Sequence, residues 1–296
     1  MKTGLGMTGL IAALSLAGAA AAAPVAAASR VGVIDDPCSA VEPAPAVVTA
    51  YMTSVAQAKA AHIPTPVPSP SALRIFNDWQ QRLLVSDFPG LCHYDAANKA
   101  LPAAGADRVV FFGDSITELW GIAAPELFKG DVIDRGVSGQ TTAQMLGRFR
   151  ADVIALHPKV VHILAGTNDI AGNTGPTRLS WIEANIETMI ELARAHHIIV
   201  VLGAIPPSSG FQWRPAIAPA EPIAAYDRWL AAFAKREDLR FVDYHALLDD
   251  GKGGLRPDLT DDGTHPNAAG FRLMTALATQ AIDIPTGRTG HAHRRD

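Results

Sequence analysis

Short runs of consecutive apolar residues punctuate the chain from about residue 108 onward: RVVFFG (108–113), VIDRG (132–136), VVHILAG (160–166), IIVVLGAI (198–205) and LRFVDY (239–244). Between them lie longer stretches with apolar residues at helical spacing: TAQMLGRFRADVIAL (142–156), SWIEANIETMIELARAHH (180–197) and EPIAAYDRWLAAFAKRE (221–237). A last helix is expected over about 267–283. Strands that are apolar throughout and alternate with helices predict a parallel sheet covered on both faces. The fold class is therefore α/β, a doubly wound three-layer α/β/α sandwich with a five-stranded parallel sheet. Such sheets carry their sites at the carboxyl ends of the strands.

The pattern before residue 108 is different. AVVTAYMTSVAQAKAAH (46–62) suits a helix, PTPVPSPS (64–71) excludes helix and favours an extended linker, and ALRIFNDWQQRLLV (72–85) returns to helical spacing with Leu73, Phe76, Leu83 and Leu84 on one side. Residues 29–107 thus form an N-terminal helical extension, a cap held by packing, with no catalytic constellation of its own. Residues 1–28, one lysine followed by an Ala-rich apolar run and PVAAAS, match a secretory signal peptide cleaved after Ala28, with a membrane anchor as the alternative. Cleavage leaves a periplasmic or secreted protein without a stable membrane anchor. The main domain spans 108–284, and 285–296 form a disordered tail.

Composition narrows the function classes. At 296 residues and 48% hydrophobic the chain buries a sizeable core, and its formal charge of −4 offers no basic footprint for nucleic acid or anionic lipid. Both cysteines, Cys38 and Cys92, lie early, and in an oxidising compartment they can pair, with two separately buried thiols as the alternative.

The chemistry gathers where the strands end. Gly113-Asp114-Ser115 follows the first, Gly136-Val137-Ser138-Gly139-Gln140-Thr141 the second and Gly166-Thr167-Asn168-Asp169 the third, while DDGTHPN (261–267) places Asp262 three residues before His265. A serine at a strand end leading into a helix can expose its hydroxyl. A histidine takes a proton near neutral pH, and an aspartate one turn away fixes the imidazole tautomer. Gly139 can offer an unobstructed backbone N–H and Asn168 a side-chain NH2 to an oxyanion. Ser115 alone could equally be a helix cap, with Glu118 completing a capping box. Asp258 and Asp261 compete with Asp262, and spacing selects Asp262.

These four blocks resemble those of the SGNH hydrolases, also called GDSL esterases and lipases, over about 108–283: GDSIT, RGVSGQTT, GTND and DGTH. The likeness is to the compact bacterial branch related to platelet-activating-factor acetylhydrolase. The resemblance implies a flavodoxin-like fold and ester hydrolysis through an acyl-serine, without metal or other cofactor. It implies Ser115 as nucleophile, Asp262 and His265 as its partners, and Ser115, Gly139 and Asn168 as the oxyanion hole. The Gly-x-Ser-x-Gly elbow of other hydrolases is absent, since Thr117 stands two residues after Ser115.

The remaining candidates are weaker signals. Phe211, Trp213 and Arg214, in the long loop 206–222, and Trp120 are candidate substrate contacts. His162 is expected in the core, His245 is expected to be structural, and Asp114 and Asp169 are expected to brace loops. Apart from His265, no histidine has carboxylate or cysteine company at metal-ligand spacing. The expected substrate is a small-molecule or glycan ester with a short acyl group such as acetyl, because no long apolar insertion is evident to house a fatty chain. A lysophospholipase or other lipid acylhydrolase is the alternative within this chemistry, and a non-catalytic glycan-binding module is the rival of another class.

Overall fold

The computed structural model describes residues 32–283. The signal segment 1–28 and the tail 285–296 lie outside the described residues. Among the described residues, 38–283 form one compact unit, so the helical extension packs as part of the same body as the sheet.

All five strands pair in parallel, in the order β2-β1-β3-β4-β5. They are β1 (Val109–Gly113), β2 (Val132–Gly136), β3 (Val160–Leu164), β4 (Ile199–Gly203) and β5 (Arg240–Val242). The central strands β1 and β3 are buried along their whole length, which is why they read as unbroken apolar runs. The edge strands β2 and β5 are half-buried and carry Asp134, Arg135 and Arg240. The chain leaves β1 for β2 on one side and continues through β3 on the other, so the direction of winding reverses between β1 and β3. That reversal opens a crevice at their carboxyl ends.

Two groups of helices flank the sheet. One comprises α4 (Ser115–Ala123), α9 (Tyr244–Leu248) and α10 (Ala268–Ile282), and the other comprises α5 (Thr142–Asp152), α7 (Leu179–Ala195) and α8 (Ala220–Arg236). A short α6 (Thr167–Ile170) follows β3. The extension contributes α1 (Ala46–Ala61), α2 (Pro70–Ser86) and α3 (Leu91–Ala100). Helix α2 starts inside the proline-rich stretch: Ser69 caps it by accepting from Ala72 N at 3.2 Å, and Pro70 sits in the first turn, where a missing N–H costs nothing. Helix α3 buries no residue, so it left no apolar period to read. The helix expected over 142–156 stops at Asp152 and tightens into a 3-10 turn at Ile154–Leu156, ahead of Pro158.

Cys38 and Cys92 are joined by a disulfide with Cα atoms 5.3 Å apart, and the loop it closes contains α1 and α2. His162 lies in the core, stacked on Phe111 with ring centroids 4.7 Å apart and bonded through Nε2 to Tyr244 Oη at 2.9 Å. Burial pushes its pKa down to about 3, so it is neutral at physiological pH.

Candidate active site

Gly113 ends β1 and the backbone turns at once into α4. Asp114, not Ser115, is the helix cap: its Oδ1 accepts from Ile116 N at 2.9 Å. Ser115 takes the first helical position, and its Oγ lies 2.9 Å from His265 Nε2. Glu118 makes no capping box. It reaches the neighbouring loop instead, accepting from Ser138 N at 2.8 Å and from the Ser138 hydroxyl. Burial raises Asp114 to about 6, against the opposing pull of the Ile116 N–H and of His265.

His265 and Asp262 share one turn, as their spacing predicts. Asp262 Oδ2 is 2.7 Å from His265 Nδ1, and Oδ1 accepts from Thr264 N at 2.9 Å and His265 N at 2.7 Å. Burial works to raise the Asp262 carboxyl, but the facing imidazole and these N–H groups outweigh it and hold the group well below the usual carboxylate range. The same contact acts on His265. Burial lowers its pKa, the Asp262 charge and hydrogen bond raise it, and the net direction is upward. The competing carboxylates are engaged elsewhere: Asp258 pairs with Arg256 at 2.7 Å, and Asp261 accepts from Thr65 N at 3.1 Å and Thr65 Oγ1 at 3.2 Å.

The loop after β2 comes close to α4. A Cβ on Gly136 would lie 2.1 Å from Glu118 N, so only glycine fits there. Gly139 has φ +81° and lines the cleft with Ser115, Asn168 and His265. Among the described residues the backbone N–H groups of Ser115 and Gly139 donate to no partner. Asn168 differs from expectation: its Nδ2 donates to Asp114 Oδ2 at 3.1 Å and to Gln140 O at 3.0 Å, so both amide hydrogens are engaged. Asn173 stands beside it, donating to Asn168 Oδ1 at 2.8 Å and to Gly139 O at 3.0 Å. Asp169 braces α5, accepting from Thr142 N at 2.8 Å and Thr142 Oγ1 at 2.6 Å.

A hydroxyl, an imidazole and a carboxylate aligned in this order, next to two unpaired backbone N–H groups, can form and collapse a tetrahedral adduct at a carbonyl carbon. The profile of the GDSL-like lipase/acylhydrolase family matches residues 111–273, more than half of the chain. The chain belongs to this family. It is a serine ester hydrolase with the SGNH fold. It is similar to Esterase TesA of Pseudomonas aeruginosa, at 28% identity over 56% of this chain and 83% of the relative. An uncharacterized lipoprotein of Bacillus subtilis, YqeF, is also 28% identical, over 57% of this chain and 87% of that protein. Among solved structures, a GDSL-like lipase from Bacteroides thetaiotaomicron shares 41% identity with a TM-score of 0.65, over 66% of this chain and 98% of its own.

The family match begins at Phe111, yet the cleft of this hydrolase does not. A cavity of about 720 Å³ is lined by Ser115, Gly139, Asn168 and His265 together with residues of α1 and α2. The sequence suggests a packing cap here, because the extension shows no catalytic constellation and its distance from the site is invisible along the chain. Gln80 of α2 lies near the loop after β2, its Nε2 3.5 Å from Ser138 O.

Two expected substrate contacts are corrected. Trp120 is 0% exposed, packs among Phe111, Phe271 and Tyr244, and donates from Nε1 to Thr275 Oγ1 at 2.9 Å. It faces inward because α4 turns that side onto the sheet. Phe211 is 1% exposed and stacks under Trp213 with centroids 4.9 Å apart. Trp213 and Arg214 do line the cavity. Trp213 stacks on the His265 ring at 6.1 Å and donates from Nε1 to Asn173 Oδ1 at 3.1 Å. His245 sits apart, its Nδ1 2.8 Å from Asp227 Oδ2.

Proposed function

We propose that the protein is an exported serine esterase that hydrolyses carboxylic esters through an acyl-serine intermediate on Ser115. The observation that carries this reading is the unbroken relay from Ser115 Oγ to His265 Nε2 at 2.9 Å and from His265 Nδ1 to Asp262 Oδ2 at 2.7 Å. Ser115 Oγ attacks the ester carbonyl carbon while its proton passes to His265 Nε2. The oxyanion is met by the N–H groups of Ser115 and Gly139. Asn168 joins them by giving up one of its bonds, to Asp114 or to Gln140. The C–O bond to the alcohol breaks, and the alcohol leaves with the proton from His265. Water then attacks the acyl-serine, gives its proton to the same nitrogen, and the acid departs as the serine recovers its hydrogen. Asp262 stays ionised and steadies the imidazolium.

Export is supported by the signal-like segment at 1–28 and by the Cys38–Cys92 disulfide, which belongs to an oxidising compartment. The periplasm or the exterior is the corresponding location. The expectation of a short acyl group rests on the lack of a long apolar insertion to house a fatty chain. Helices α1 and α2 supply such a surface, which favours the lipid acylhydrolase reading over an acetylesterase.

The test is turnover of p-nitrophenyl acetate and labelling by a fluorophosphonate, wild type beside Ser115→Ala. Loss of at least a thousandfold in kcat, with the phosphonate mass found on Ser115 in the wild type, supports the reading. Equal turnover in both proteins refutes it.

A further inference from the structure

We infer that α1 and α2 form an acyl-binding wall, so that this hydrolase takes neutral esters whose acyl group is a chain of several methylenes. The inference rests on the acyl-serine reading and names the substrate class of that same cleft. Helix α2 is amphipathic over 17 residues but buries none of them. Leu73, Phe76 and Leu84 border the cavity that contains Ser115, with Asn77, Gln80 and Gln81 of the same helix between them. From the other helix Val48, Tyr51, Met52 and Val55, spaced three, four and seven residues on, line the same cavity. Val48 and Val55 are already buried, whereas Tyr51, Met52, Leu73, Phe76 and Leu84 stay partly exposed, and a hydrocarbon chain attached to Ser115 would cover them.

The wall is fastened where a substrate pocket needs it rigid. Thr65, in the linker between the two helices, bonds Asp261 beside the Asp262–His265 turn, and Lys59 bonds Pro266 O at 3.0 Å. Arg82 of α2 pairs with Glu42 at 2.6 Å. The charges at the cavity argue for a neutral ester over a phospholipid. Asp78 and Asp261 line it, and of the basic side chains besides His265, Lys59 is 4% exposed and bonded to Pro266, which leaves Arg214 alone.

The experiment measures kcat/KM for p-nitrophenyl esters from acetate to dodecanoate with the full chain. The ratio of octanoate to acetate is expected to be at least ten in the wild type. Leu73→Trp, which fills the cavity from a helix with no buried residue, is expected to cut that ratio at least tenfold, and Phe76→Gln to cut it severalfold. Arg74→Ala, on the exposed side of α2, should keep the wild-type ratio. A wild-type ratio of one or less, or a Leu73→Trp ratio equal to wild type, overturns the acyl wall. Ser115→Ala separates this from failure of the functional reading. If that variant is inert while the wild type hydrolyses both esters equally, only the wall falls. If it turns over acetate like the wild type, the acyl-serine falls.

Discussion

Lys59 Nζ, in the last turn of α1, donates to the carbonyl of Pro266 at 3.0 Å across 207 residues of sequence. Pro266 follows His265, so a residue outside the family match holds the turn that carries the proposed base. Lys59 is buried, and its ammonium lies over the Phe271 ring at 5.4 Å. Burial lowers its pKa, while the charges of Asp262 and Asp261 oppose that shift.

A pH prediction follows from this contact. In the proposed mechanism neutral His265 is the competent form, and its pKa is raised above the ordinary imidazole value by Asp262 despite burial. kcat/KM should therefore fall on the acid side at a pH above that of a free imidazole. The Lys59 charge works to lower His265. Lys59→Met removes it, so the acid limb should move to higher pH, and the Pro266 carbonyl left without its donor should cost about 1–3 kcal/mol of stability. A pH–rate profile of both proteins checks the shift, and superimposable acid limbs would contradict it.

Asn168 gives a second prediction. Its amide holds Asp114 and the Gln140 carbonyl next to Gly139. If it exchanges one of these bonds for the oxyanion, Asn168→Ala should lower kcat by about 100-fold or more with a much smaller change in KM. Steady-state kinetics decides it, and an unchanged kcat would restrict Asn168 to bracing the loops.

Arg148 is fully buried on α5 and supports both strand-end loops. It donates to Gly113 O at 2.8 Å, to Arg135 O at 3.0 Å, to Asp152 Oδ2 at 3.0 Å and to Gln140 Oε1. Arg148→Met leaves the buried Asp152 carboxylate without its ion-pair partner and with only the Asn98 amide, at 2.6 Å, so urea denaturation should show a loss of about 3–5 kcal/mol. A midpoint within experimental error of the wild type would show that water replaces these bonds.

The disulfide fastens the segment holding α1 and α2. Closing a loop over a separation of 54 residues contributes about 4 kcal/mol in the chain-entropy model. The Cys38→Ser, Cys92→Ser double variant should melt at a lower temperature than the oxidised wild type. Reductant should bring the wild type to the same value and leave the variant where it is. Equal melting temperatures before reduction would mean that packing alone holds the extension.

The sequence by itself determined the five-stranded parallel sheet and the approach of Ser115, Gly139, Asn168, Asp262 and His265 to one rim. Fully buried parallel strands must be apolar throughout, and short loops at their carboxyl ends must converge, so both facts are written locally. The Asp262–His265 contact is likewise set by one turn of chain. Only the tertiary structure decided what lies across the cleft. The periodicity of α1 and α2 shows that each has an apolar side but not what that side meets. Lys59 meets Pro266, and Thr65 meets Asp261, through contacts spanning about two hundred residues. Tertiary packing also turned Trp120 and Phe211 inward, because an aromatic next to a site has the same sequence signature whether it faces substrate or core.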